Sequence, residues 1–193
     1  MREHDIRTAL LNRLAGEYAG EKGTLIFSEF GLCNGASRVD VAVVNGSLNG
    51  YEIKSPQDTL ERLPRQVDIY GKVLDYVVVV SSGSHLDEVL ALIPEWWGIW
   101  EARSDETDTV LFEPLREPGP NPSIDPYSLV RLLWRDETLG ILHRRGLDQG
   151  IADMPRRQLW SRLAESVELQ ELSEVVRQTL KAREGWRVPQ PQK

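Results

Sequence analysis

The sequence contains a single cysteine, Cys33, and three histidines among 193 residues. One cysteine cannot form an intramolecular disulfide, so the sequence predicts a protein of a reducing compartment. With so few thiols and imidazoles, no cluster has the spacing of a zinc site. Glycine-rich phosphate loops and the G-x-S-x-G turn of hydrolases are absent too. The common motifs of zinc, nucleotide and serine-hydrolase chemistry are therefore excluded.

Long hydrophobic runs are also missing. No apolar run approaches the roughly 20 residues that a membrane helix requires. The first residues, MREHDIRTALLNRL, alternate charged and apolar side chains at helical spacing and lack the uninterrupted apolar core of a signal peptide. We therefore predict a cytoplasmic protein without a membrane partner.

The sequence lacks an excess of positive charge: 30 Asp and Glu against 23 Lys and Arg give a formal net charge of -7 at pH 7. A nonspecific nucleic-acid coat protein needs many Lys and Arg contacts to phosphate, so this class is disfavoured. The acidic excess lies in residues 1–121, whereas residues 122–193 carry a small basic excess. An acidic surface can still meet a polyanion if divalent cations neutralise its carboxylates.

The length suits one α/β core with a small extension. A segment rich in proline and glycine, EPGPNPSIDP, predicts a domain boundary. The predicted organisation is a core at 1–116, a linker at 117–126, a helical C-terminal region at 127–187 and a disordered tail at 188–193.

Hydrophobic periodicity predicts helices and strands throughout the chain. In the core, the pattern predicts helices at 2–19, about 58–72 and 85–93, and strands at 24–30, 39–44, 51–55, 75–82, 96–102 and 109–115. After the linker, it predicts helices at 127–144, 155–164 and 169–183.

Three charged residues interrupt the apolar strands around the turn at 45–50. Asp40 lies in one strand, and Glu52 and Lys54 lie two residues apart in the next, on one face of it. If these strands pair as a hairpin, Asp40 lies near Glu52. Charged groups that leave water cost several kcal/mol, roughly, unless they are paired or bound to a cation. A metal site is the leading explanation.

Two carboxylates on one sheet face can hold Mg²⁺, which prefers oxygen ligands and retains waters that a substrate replaces. An adjacent lysine can orient or deprotonate the attacking water. This combination is what the hydrolysis of a phosphodiester requires.

The same residues carry a family resemblance. Asp40, followed after eleven residues by Glu52-Ile53-Lys54, resembles the D-x(n)-E-x-K core of the PD-(D/E)XK nuclease superfamily. Gln66 and Tyr70 resemble the Q-x-x-x-Y motif of its RecB-type branch. Val39 stands where the proline of the superfamily name would be. The strings GYEIKS, PEWWGIW and LLWRDE also resemble a poorly characterised bacterial group within it.

The resemblance implies a restriction-endonuclease-like α/β fold: a central mixed four-stranded sheet flanked by helices, with a small helical C-terminal extension. It implies roles for individual residues. Asp40 and Glu52 would be metal ligands, joined by the carbonyl of Ile53 and by Glu29; Lys54 would activate water; Gln66 and Tyr70 would order the site; Glu17 would match a first-helix glutamate.

The predicted function is that of a nuclease dependent on Mg²⁺, with Mn²⁺ as a substitute ion and with DNA favoured over RNA. Arg38, Arg62 and Arg65 are candidate phosphate contacts. A second DNA contact could come from the C-terminal arginines, namely Arg131, Arg135, Arg144, Arg145, Arg156 and Arg157. The C-terminal helices could also bind a second copy or a protein partner.

Two alternatives stay open. One is a catalytically inactive module with the nuclease scaffold that binds nucleic acid or protein. The other is an unrelated α/β protein in which Lys54 forms a structural ion pair with Glu52 or Asp40.

Overall fold

A computed structural model describes residues 1–183, which form helices and strands in the order expected for an α/β protein. The predicted tail at 188–193 and the end of the predicted helical region lie outside these residues. The helices are Glu3–Glu17 (α1), Leu63–Tyr70 (α2), Leu86–Leu92 (α3), Pro126–Val130 (α4), Arg135–Arg144 (α5), Arg156–Ser166 (α6) and Leu169–Ala182 (α7). The strands are Leu25–Leu32 (β1), Ser37–Val44 (β2), Leu48–Lys54 (β3), Tyr76–Ser82 (β4), Gly98–Ser104 (β5) and Val110–Arg116 (β6).

The strands form one mixed sheet in the order β1-β2-β3-β4-β5-β6. Strands β1, β2 and β3 pair antiparallel, β3, β4 and β5 pair parallel, and β6 returns antiparallel to β5. The two parallel connections pass through α2 and α3, as strand-helix-strand units require. The prediction of a mixed α/β fold is confirmed. The predicted sheet of four strands is wrong, because the sheet in the described residues has six.

Helices cover both faces of the sheet and create two apolar cores. On one face, α1 places Ile6, Leu10 and Leu14, all fully buried, against the valines of β2 and β4. We call this the α1 core. On the other face, α2, α3 and the C-terminal helices pack on a larger core that includes Trp97. We call this the main core.

Two helix predictions need correction. The helix predicted from about residue 58 begins at Leu63, because Asp58 instead accepts a hydrogen bond from the Ser55 N–H at 2.7 Å and closes a turn after β3. The single helix predicted at 127–144 is two helices. It breaks at Trp134, whose N–H donates to the Glu137 carboxylate at 2.7 Å and starts α5 anew.

The proline-rich segment 117–126 follows the surface of the sheet domain closely. The Asn121 side chain donates to the carbonyls of Gly71 and Leu74 at 2.7 and 2.8 Å, and the Asp125 N–H donates to the Lys72 carbonyl at 3.0 Å. These bonds occupy backbone carbonyls of the turn that follows α2, which would otherwise need other partners. The segment therefore fixes the start of the helical region against the sheet; the division into domains stays a prediction.

Candidate functional site

A buried polar network lies at the end of β3 and unites four of the residues singled out in the sequence. Glu52 and Lys54 are 2 % and 4 % exposed. Lys54 Nζ donates to Glu52 Oε1 at 2.7 Å and to Gln66 Oε1 at 3.1 Å. Gln66 Nε2 donates to the same Glu52 oxygen at 2.5 Å. The hairpin and α2 thus bring these side chains together, as the spacing predicts.

Tyr70 completes the network from the next turn of α2. Its hydroxyl lies 2.6 Å from Glu52 Oε2 and 2.7 Å from the Arg38 carbonyl oxygen. Burial, and then the negative charge of Glu52, raises the pKa of Tyr70, so the phenol stays protonated and donates. Its ring stacks on Trp97 with centroids 5.9 Å apart, which anchors the network to the main core.

Asp40 approaches the network from β2. The regular pairing of β2 with β3 ends at Val41 and Tyr51. Beyond this pair, the Asp40 carboxylate rather than a backbone carbonyl accepts the Ile53 N–H, at 2.7 Å. Burial, and then repulsion from Glu52, raises the pKa of Asp40 to about 7, although the hydrogen bond from Ile53 and the charge of Arg7 oppose this shift.

Arg7 of α1 is the cation that meets Asp40, and it was not among the residues predicted for the site. Its guanidinium donates to Asp40 Oδ1 at 2.9 Å and also to carboxylate oxygens of Glu3 and Glu29. Oxygens of these three acids lie within 4.8 Å of one another. Burial would raise the pKa of Glu29, but hydrogen bonds from Arg7 and Arg38 outweigh it and lower the pKa.

Glu29 reaches this cluster because β1 and β2 change direction together. Glu29 has a left-handed backbone with φ of 57°, and the pairing of the two strands skips Glu29 and Asp40. Val39 belongs to the main core and Val41 to the α1 core, although residues two apart on a regular strand share a face. Both strands therefore switch faces at the same step, which we call the matched step.

The remaining predicted residues line a cleft at this site or lie next to it. Arg38, Arg62 and Gln66 line a cleft of about 360 Å³ together with Asp40, Glu52 and Lys54. Arg65 is exposed beside it and donates to the Ala36 carbonyl at 3.4 Å. Ile53 contributes its N–H to Asp40 and its side chain to the α1 core.

Glu17 does not join the site. It is exposed and ends α1, whereas the cleft-facing glutamate of this helix is Glu3, fourteen residues earlier. Glu3 and Arg7 are four residues apart on a helix, and this spacing indicates an ion pair between them. Its position over the end of β2 depends on how α1 packs, which the periodicity of one helix does not specify.

The ligands predicted for Mg²⁺ are occupied by donors of the chain itself. Both oxygens of Asp40 and both oxygens of Glu52 accept hydrogen bonds, from Arg7, Ile53, Lys54, Gln66 and Tyr70. A cation between Glu3, Glu29 and Asp40 would have to displace the Arg7 guanidinium. A divalent ion at Asp40 and Glu52 would compete with these donors, and the use of Mg²⁺ or Mn²⁺ stays a prediction.

Asp40 makes the stability of the protein dependent on pH. The folded carboxyl, with its pKa of about 7, holds its proton to about pH 7, whereas the unfolded one releases it near the ordinary aspartate pKa of 3.8. Between these values the unfolded chain binds fewer protons, so stability falls as the pH rises. We expect Asp40→Asn to gain on the order of 3 kcal/mol relative to the wild type between about pH 4 and about pH 8.

Urea unfolding across this pH range measures the effect. Asp136→Asn is the matched control, since the Asp136 side chain is 96 % exposed whereas that of Asp40 is 18 % exposed. Equal pH slopes for Asp40→Asn and the wild type would contradict a raised pKa at Asp40.

The fold and the site define a class: a mixed α/β protein whose inward-facing acids are neutralised by its own arginine and lysine. The chain belongs to the family described as bacteriophage P4 protein cII, whose model matches residues 1–186. Protein cII of Enterobacteria phage P4 is 26 % identical over 187 residues, which are 95 % of this chain and 68 % of that protein. No solved structure matches the chain significantly.

These matches correct the predicted identity. Membership in the PD-(D/E)XK nuclease superfamily, in its RecB-type branch and in a bacterial group of it is wrong, because the matching family is that of a phage P4 protein. The predicted nuclease and hydrolase activity, which rested on that resemblance, is wrong for the same reason. The convergence of Asp40, Glu52 and Lys54 stands as geometry and requires another explanation.

Proposed function

We propose that this protein is a non-catalytic module that binds nucleic acid through arginines gathered around residues 33–38. This convergence is the observation that carries the proposal. The arginines come from β2, α2, the end of α4 and α6, segments far apart in the sequence. We call residues 33–38 with these arginines the loop-33 surface; its arginines are Arg38, Arg65, Arg131 and Arg156.

Hydrogen bonds hold most of these guanidinium groups against the loop. Arg131 Nη2 donates to the Cys33 carbonyl at 2.7 Å, and Arg156 Nη2 donates to Asn34 Oδ1 at 3.1 Å. Arg65 bonds the Ala36 carbonyl, and Arg38 extends from β2 with 65 % of its side chain exposed and one ion pair, to Glu29 at 3.1 Å. Guanidinium groups fixed by a neutral carbonyl or amide keep their charge available for phosphate.

The loop itself needs an unusual backbone to present these groups. Cys33, Asn34 and Gly35 all have positive φ, of 49°, 60° and 85°. A non-glycine residue in this region costs free energy that the surrounding contacts must offset. The bonds from Arg131 and Arg156 supply such contacts and couple the loop to the helical region.

The net charge of -7 is compatible with this proposal because charge is distributed unevenly. Among the acids near the loop-33 surface, Asp40 and Glu29 are paired with Arg7, and Glu52 is paired with Lys54. Their fields are therefore partly cancelled close to the arginines. Binding that rests on a few phosphate contacts is weakened strongly by salt.

The buried network supports the non-catalytic part of the proposal. Lys54 is enclosed and donates to both Glu52 and Gln66, so its amine serves the fold. Burying such groups is tolerable only when each is paired, and here each of them has a partner. The network joins β3 to α2 and, through the bond of Tyr70 with the Arg38 carbonyl, to β2. Strand β2 and helix α2 in turn supply Arg38 and Arg65 of the loop-33 surface.

The sequence also predicts that no membrane is a partner. No helix of residues 1–183 is long and apolar enough to cross a lipid bilayer. A homodimer or a protein partner at the C-terminal helices stays a prediction, as does the preference for DNA.

Binding can be measured by fluorescence anisotropy with labelled DNA and RNA at several salt concentrations. We expect the double variant Arg38→Ala/Arg65→Ala to bind about 10-fold more weakly. Each phosphate contact contributes about 0.7 to 0.9 to the salt slope, so this slope should fall by about 1.5.

Arg103→Ala is the matched control. The Arg103 side chain is 58 % exposed and, like Arg38, is paired with a strand glutamate, but it lies on β5. We expect wild-type affinity from it, and an intact oligonucleotide after incubation with Mg²⁺. No binding by the wild type, equal binding by the double variant, or cleavage would each overturn the proposal.

A further inference from the structure

The outer face of α6 and the start of α4 line an open groove of about 400 Å³. A second cavity of about 390 Å³ shares Tyr127, Ser161 and Glu165 with it and extends it toward Asp125 and Pro126. We call the two together the α6 groove. The groove is lined in part by Tyr127, Met154, Arg157, Gln158, Ser161 and Arg162.

Helical spacing explains why these side chains share one surface. Positions 157, 158, 161 and 162 recur at i, i+1, i+4 and i+5, which is one face of a helix. The opposite face of α6 is buried through Leu159, Trp160 and Leu163. The groove face is thus not required for packing, and its composition is available for contacts with a ligand.

The groove combines apolar, positively charged and hydrogen-bonding side chains. Tyr127 and Met154 are half-buried and supply an apolar wall with an aromatic ring. Arg157 and Arg162 supply positive charge, while Gln158 and Ser161 supply hydrogen-bond donors and acceptors. An aromatic face, guanidinium groups and an amide together are what proteins use to hold an unpaired nucleotide.

The groove is continuous with the loop-33 surface. Arg131, which donates to the Cys33 carbonyl, also lies over the Tyr127 ring, with its Cζ 6.0 Å from the ring centroid. Arg156, which donates to Asn34, immediately precedes Arg157 at the start of α6. Arg131 therefore links the loop-33 surface to the groove at Tyr127.

We infer that the α6 groove is a binding site for an unpaired base of a single-stranded nucleic acid whose backbone lies on the loop-33 surface. This inference rests on the proposed function and adds the form of the ligand. The base packs on Tyr127 and is hydrogen-bonded by Gln158 and Ser161. The neighbouring phosphates contact Arg157 and Arg162.

Spacing and charge agree with this arrangement. Arg157 and Arg162 are separated by roughly 7 to 8 Å along the helix axis, so both can contact a short stretch of one strand. Glu165, one turn further along, is repelled by phosphate but accepts hydrogen bonds from an exocyclic base amine. A paired base in a duplex cannot reach the ring of Tyr127, because its faces are covered by its neighbours.

The experiment compares a labelled single-stranded oligonucleotide of about 12 nucleotides with its duplex. We expect Tyr127→Leu and Gln158→Ala each to weaken single-strand binding, by about 10-fold for the loss of the stacked ring, and to change duplex binding less than twofold. A third variant, Arg157→Ala, removes a guanidinium group of the groove. Its control is Arg144→Ala, which removes an exposed arginine of α5 outside the groove. Thermal unfolding verifies that the variants fold; Gln158 is exposed, so its replacement leaves the core intact.

The outcomes separate this inference from the proposed function. If the wild type binds neither form, the proposed function fails. If Arg38→Ala/Arg65→Ala weakens binding while the Tyr127, Arg157 and Gln158 variants bind single strands like the wild type, only the inference fails. Equal losses for single strands and duplex would also overturn it, since a base-binding groove discriminates between them.

Discussion

Replacing Lys54 with methionine is expected to lower the free energy of unfolding by about 3 to 5 kcal/mol. The substitution keeps most of the side-chain volume but leaves the Glu52 carboxylate, 2 % exposed, without its cation. Gln66 and Tyr70 still donate to it, yet neither carries charge. Urea unfolding at neutral pH, followed by circular dichroism, measures the loss.

The control is the same substitution at Lys72. Lys72 Nζ lies 2.7 Å from Asp68, the same distance as Lys54 from Glu52, but the side chains of Lys72 and Asp68 are 44 % and 63 % exposed. An exposed pair at i,i+4 contributes about 0.3 to 0.5 kcal/mol, so Lys72→Met should have little effect. Adding Glu52→Gln to Lys54→Met removes the unpaired charge and should restore a large part of the stability. A loss at Lys54 no larger than that at Lys72 would show that the network is not structural.

Separating residues 1–116 from the rest of the chain is expected to abolish cooperative folding. The main core contains Val44 and Leu74 of the sheet region together with Leu133, Trp160 and Leu172 of the helical region. A fragment that ends before the linker exposes this surface to water, at about 25 cal/mol for each Å² of apolar area.

Polar contacts reinforce the same junction. Arg177 lies 3.3 Å from the Asp75 carboxylate, which also accepts the Leu48 N–H, and Lys181 donates to the Asn45 carbonyl at 3.2 Å. Helix α7 therefore holds the turn between β2 and β3, at the end of this hairpin that lies away from the network.

Two measurements test the fragment. Near-ultraviolet circular dichroism and thermal unfolding of residues 1–116 should show neither fixed tertiary structure nor a sharp transition, whereas the full chain shows both. A protease site placed within 117–126 should yield two pieces that elute together in size-exclusion chromatography. A fragment that melts cooperatively, with pieces that separate, would establish the two-domain organisation predicted from the sequence.

The strands and the central polar residues were readable from the sequence for physical reasons. Alternation and valine runs specify strands, and the turn at 45–47 fixes the register of β2 and β3, so Asp40 and Glu52 meet. Gln66 and Tyr70, four apart on α2, then face the same carboxylate.

What the sequence did not specify depends on long-range packing. Arg7 meets Asp40 only because α1 crosses the end of β2, and Arg131 and Arg156 meet the loop at 33–35 only because α4 and α6 pack beside it. The error about function has a related origin. Two acids and a lysine on neighbouring strands are compatible with a metal site and with a self-neutralised network, and the distinction lies in Arg7.

The matched step in β1 and β2 constrains how this chain can vary in length. Phe27 and Phe30 both reach the main core, and so do Val39 and Ala42 on the partner strand, because the two strands change face opposite each other. A residue gained or lost in one strand would shift its far half by one position against the other and turn its core side chains outward. Length changes in this hairpin are therefore tolerated only as compensating pairs, one in each strand, while single insertions are confined to its loop.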